Sequence, residues 1–147
     1  MTIKDRITSD LKDAMRARDQ AKLNALRLIT AAIKQIEVDE RIDVDEARML
    51  DILVKLAKQR NESITQFKAA ARDDLVLQEQ FELDIIQQYM PDPLAEEEIV
   101  MLIDKAFSDL NASKMSDMGA IMAQLRPLMQ GRADMSRVSA LIKAKLS

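Results

Sequence analysis

The stretch ARMLDILVKLAKQRNESITQF, residues 47–67, decides the fold. It holds neither glycine nor proline, and Ala47, Leu50, Val54, Ala57, Asn61, Ile64 and Phe67 recur every three or four positions. That period puts them on one face of an α-helix, whereas a strand would alternate every second residue. Upstream, Asp43 with Glu46 three residues on has the form of a capping box, so the helix is expected to open there.

The same reading extends in both directions. Thr2, followed by Asp5, opens a first helix with Ile3, Ile7, Leu11 and Met15 as its apolar stripe. Asp19 caps a second, which carries Leu23, Leu26, Ile29, Ile33 and Ile36. A fourth helix begins near Asp73 or Asp74, with Leu77, Phe81, Ile85 and Tyr89 expected inward. Met90-Pro91-Asp92-Pro93 then stops it, because two prolines within three residues forbid helical continuation.

The expected organisation is therefore an N-terminal bundle of about four helices over residues 1–90 and a Pro-containing linker over 91–94. A small C-terminal subdomain of three helices follows over 95–147. In that last part Ile99, Ile103, Phe107 and Leu110 mark one helix. Met118, Ile121, Met122, Leu125 and Met129 mark the next, capped by Ser116 or Asp117. Gly131 ends that helix, and Asp134 caps a third with Val138, Leu141 and Ile142.

Composition supports an all-α fold. Of 147 residues 48% are hydrophobic but only 3% aromatic, with two glycines and three prolines, so the chain is rich in helix formers and poor in what sheets need. Cysteine and histidine are both absent. That removes disulfides, thiolate nucleophiles, Ser-His-Asp and Cys-His relays and the usual zinc sites, so no catalytic residue, cofactor or metal is expected. No apolar run approaches the ~18 residues that span a bilayer. The N-terminus leads straight into an amphipathic helix rather than a hydrophobic leader, which points to a bacterial-type cytoplasm.

The net charge of −3 is unevenly spread. Residues 1–34 hold eight Lys/Arg against four acids, residues 35–94 seven against fourteen, and residues 118–147 five against one. Basic clusters such as Lys55, Lys58 and Arg60, then Lys68 and Arg72, suit phosphate contact if they share a face. Gly131-Arg132-Ala133-Asp134 puts an arginine in a turn just before a helix N-terminus, a plausible anion site in which Arg132 exceeds what punctuation needs. Ser9 and Lys12 have the spacing of a Ser-Lys pair, but they flank the apolar stripe of a short helix, where the polar side of an amphipathic helix accounts for them.

Taken in order, Lys58-Gln59-Arg60-Asn61-Glu62-Ser63, Phe67-Lys68, Ala71-Arg72-Asp73-Asp74-Leu75, Glu79, Glu82 and Tyr89-Met90-Pro91 resemble the GatB/YqeY domain family. Asp117-Met118-Gly119 and Gly131-Arg132-Ala133-Asp134 extend the resemblance over essentially the whole chain. In that family the module forms the C-terminal tail of the GatB component of the aspartyl/glutamyl-tRNA amidotransferase, a helical tRNA-binding appendage. The chemistry belongs to a separate catalytic domain that this chain lacks, so a carbon–nitrogen ligase label with glutamine as amide donor would be inherited by kinship. The resemblance implies a non-catalytic module that contacts tRNA, or an adaptor in an aminoacyl-tRNA amidation or synthetase complex. The residues expected to meet RNA are Lys58, Arg60, Lys68 and Arg72, with Gly131 and Arg132. The sequence departs from the family at Ala71, usually glycine, at Ala120 and Gln130, usually lysines, and at Ala95, usually a capping residue.

Overall fold

Helix ends are set by short polar side chains. Thr2 Oγ1 accepts the Asp5 N–H at 3.1 Å while the Asp5 carboxylate accepts the Thr2 N–H at 3.3 Å, closing a reciprocal box on α1 (Ile3–Ala17). Asp19 accepts the Lys22 N–H at 3.2 Å and opens α2 (Gln20–Glu40). In the computed structural model, which describes residues 1–147, these are the first of seven α-helices, with one 3₁₀ turn and no strand.

The third helix, α3 (Glu46–Ala69), opens two residues later than the capping pattern at Asp43 suggests. Val44 is buried and its N–H is taken by Glu37 at 3.0 Å, which keeps the chain extended until Asp45 caps Arg48 N at 2.8 Å. Its buried face is Met49, Ile52, Leu53, Ala57 and Ile64, so Ala47 and Asn61, expected inward, are exposed.

A larger difference concerns α4 (Asp73–Gln87). Leu83, Ile85 and Ile86 are its buried residues, whereas Leu77 is 71% and Phe81 41% exposed. Ile85 and Tyr89 are buried as expected, because a row spaced every four residues drifts about 40° per step and carries its first members, Leu77 and Phe81, outward while its last members turn in. Met15 likewise lies outward while its neighbour Ala14 is buried.

The helices gather into two compact units, Met1–Met90 and Pro91–Ser147. In the first, α3 and α4 pack most extensively, with α1 against α2 and both against α3. Its core includes Ile7, Leu26, Ile29, Met49, Leu53 and Tyr89. The second contains α5 (Glu96–Leu110), a 3₁₀ turn (Met115–Asp117), α6 (Met118–Met129) and α7 (Met135–Leu146). Ile121, Leu125, Met129, Val138 and Ile142 close a separate core there. Asp134 caps α7 as expected, accepting the Ser136 N–H at 3.0 Å. No charged side chain is buried in either core, so stability comes from apolar burial and the capping of helix ends. No helix is long and apolar enough to cross a membrane.

Candidate functional site

Four of the six residues singled out by sequence belong to α3, α4 and the turn joining them. Lys58 and Lys68 are exposed on α3 and make no ion pair. They stand ten residues apart, about 15 Å along the axis and about 80° around it. Arg60, on another side of the same helix, turns toward α4. Its Nε lies 2.9 Å from Glu82 and 3.5 Å from Glu79, with all three side chains less than one-fifth exposed. Burial holds the Glu82 carboxyl above its ordinary range, against the opposing pull of Arg60. Glu79 and Glu82 thus clamp an arginine between two helices.

Arg72 sits at the N-terminus of α4 and makes a two-pronged contact with Asp74, Nε to Oδ1 at 3.2 Å and Nη2 to Oδ2 at 3.1 Å. The hydrogen bonds from Arg72 lower the Asp74 carboxyl from its usual value. Both side chains are more than half exposed, so the pair is open to competition from another anion.

Gly131 and Arg132 lie in the other unit. Gly131 takes φ 76°, in the left-handed region that favours glycine, and is buried. Arg132 Nε donates to the Asp92 carbonyl at 3.0 Å, and the Leu94 N–H donates to the Arg132 carbonyl at 2.8 Å. Arg132 thereby fastens the Pro91–Leu94 segment to the turn before α7. That is the role which helix punctuation left unexplained.

One polar arrangement was missed by sequence reasoning. Tyr89 enters the core with its ring and donates its hydroxyl to Asp10 Oδ2 at 2.5 Å. Arg6 lies over the ring, 5.3 Å from its centre, and donates to the Gln88 carbonyl at 2.9 Å. Burial first, and Asp10 second, push the Tyr89 hydroxyl well above its ordinary pKa, so it remains a donor at neutral pH. The group ties α1 to the end of α4 across some eighty residues of sequence; the one signal available was a lone tyrosine just before the prolines.

A groove of about 440 Å³ between α2 and α3 is lined by Ala32, Ile36, Ile52 and Leu56 together with Arg48, Asp51, Lys55 and Gln59. Lys12 is exposed on α1, without the desolvation that a nucleophilic lysine pair requires. The polar groups held most firmly serve helix packing, and the free cations point to solvent. What fold and side chains define is an all-α protein in two units that presents exposed, unpaired lysines on α3.

The chain belongs to the Yqey-like protein family, whose model matches residues 4–146. It is similar to altered inheritance of mitochondria protein 41, mitochondrial, of Saccharomyces cerevisiae. The two are 45% identical over 85 residues, which is 57% of this chain and 46% of the yeast protein. The protein of the same name from Pyrenophora tritici-repentis is 33% identical over 130 residues, 87% of this chain and 71% of that one. The chain therefore spans about half the length of the yeast relatives it matches. These relatives are mitochondrial by name, which overturns the cytoplasmic address expected from composition. The composition that suggested the cytoplasm does not by itself separate one compartment from another.

Proposed function

We propose that the chain is a non-catalytic RNA-binding module, with tRNA as its RNA and an amidation or synthetase complex as the assembly it serves. The four N-terminal helices act as a bundled platform, and Pro91–Leu94 links it to the smaller unit. The observation that carries this reading is the division of labour on α3. Arg48 and Arg60 are held by acids, while Lys55, Lys58 and Lys68 are exposed and unpaired. Unpaired ammonium groups are compact charges suited to phosphate oxygens, and contacts of this kind fix register without reading sequence.

In this reading Lys58 and Lys68 meet phosphates directly. Arg72 joins them by exchanging Asp74 for a phosphate, a trade between two anions at an exposed site. Arg60 is a positioning residue: it fixes α3 against α4 and so sets where the lysines project. In the smaller unit Arg132 offers the part of its guanidinium not spent on Asp92, with Gly131 shaping the turn. Absence of histidine and cysteine supports a role in binding rather than bond-breaking.

The test is to purify the protein from its own cells at low ionic strength and sequence the nucleic acid that accompanies it. Enrichment of tRNA is expected. A preparation free of nucleic acid, or glutamine hydrolysis by the isolated chain, would overturn the reading.

A further inference from the structure

The outward face of α4 has a composition unlike the rest of the first unit. Five acids, Asp73, Asp74, Glu79, Glu82 and Asp84, lie on this helix with no lysine or arginine among its residues. Glu79 and Glu82 turn toward α3 and hold Arg60. The remaining three point outward, and between them stand Leu77 and Phe81, 71% and 41% exposed. At 100° per residue Asp73, Leu77, Phe81 and Asp84 fall within a sector of about 80°, with Asp74 at its edge. Gln80 lies at the other edge, bonded to Asp84 at 2.9 Å.

An aromatic ring and a leucine one turn apart, both open to water, form a surface that gains free energy when covered. Their anionic frame selects what covers them. Phosphate backbones and anionic lipid surfaces are repelled by Asp73 and Asp84, neither of which makes an ion pair. Asp74 alone is partnered, by Arg72. A helix with an apolar stripe edged by Lys and Arg satisfies both features, since its stripe covers Leu77 and Phe81 while its cations meet the aspartates. We propose that this face of α4 docks a basic amphipathic helix of a protein partner. The site is separate from the lysines of α3 and meets the proposed RNA contacts only at its edge, through the Arg72–Asp74 pair.

Docking at this face does not depend on RNA binding and is tested apart from it. The probe is a fluorescent synthetic peptide of about 18 residues, five helical turns, in which leucine and lysine alternate at helical spacing. A scrambled peptide of the same composition is the control, and anisotropy is read with the full chain. The ordered peptide should bind and the scrambled one should not. Phe81→Ser and Leu77→Ser should each weaken binding about tenfold, as expected for loss of a central apolar contact. Asp73→Lys with Asp84→Lys should weaken it and flatten its salt dependence. All these positions are exposed, so folding should be unaffected, which circular dichroism checks; tRNA affinity should not fall in the serine variants.

Equal binding of the scrambled peptide would reduce the effect to bulk charge and overturn the proposal. So would unchanged affinity in Phe81→Ser, or self-association abolished by Leu77→Ser, which would give the face to a second copy.

Discussion

Arg60 shows how a side chain's partners decide what it can do. Placed against Glu79 and Glu82 and largely out of water, it neutralises two carboxylates that stand one turn apart on the same side of α4. Arg60→Met should cost about 2 kcal/mol in chemical denaturation at pH 7, because it leaves half-buried acids unpaired. The sign with pH follows from Glu82, whose carboxyl burial already raises: a raised folded pKa means that protonation favours the folded state. The variant should therefore regain stability as pH falls from 7 toward 5, more than the wild type does.

Tyr89 gives the opposite end of the scale. Its folded pKa is raised above the unfolded value, so its contribution is complete below about pH 10 and is lost as pH rises beyond that. Tyr89→Phe should cost about 1.5 kcal/mol at neutral pH and remove this alkaline slope, as equilibrium unfolding at pH 8 and pH 11 would show. Neither role was legible in the sequence. Arg60 reads as one cation among several until the fold brings Glu79 and Glu82 beside it, and Tyr89 meets Asp10 only once α1 and α4 are packed.

At the level of elements, α3 and its turn into α4 illustrate what local sequence decides. The Arg72 N–H bonds the Phe67 carbonyl at 2.9 Å and the Ala71 N–H bonds the Lys68 carbonyl at 3.1 Å, the two bonds that end a helix in a left-handed residue. That residue is Ala71, at φ 56°. Alanine there carries Cβ strain that glycine lacks. Ala71→Gly should raise the stability of the first unit by about 0.5 kcal/mol, the relieved strain exceeding the added freedom of the unfolded chain. Thermal unfolding would read this as a small upward shift, and a downward shift would contradict the strain argument.

Helix existence was legible because caps and periodicity agree at Thr2, Asp19 and Asp134. The inward face of α4 was legible only in part: Ile85 and Tyr89 are buried as their spacing suggests, while Leu77 and Phe81 of the same row face outward. Burial is chosen by the neighbouring helices, and one helix's sequence does not contain them.

For the whole molecule, the two units Met1–Met90 and Pro91–Ser147 each have their own apolar core. The family match, over residues 4–146, spans both units. Compartment was not recognisable: composition suggested the cytoplasm, and the relatives are mitochondrial by name.

Surface binding by unpaired cations is the claim on which the account turns, and a titration of labelled tRNA at several salt concentrations tests it most directly. With about three to five phosphates engaged, log affinity should fall linearly with log salt at a slope near −2 to −4. Lys58→Ala with Lys68→Ala should make that slope shallower by about 2 while leaving the fold intact. Affinity that ignores salt, or a double variant that binds as the wild type does, would contradict it.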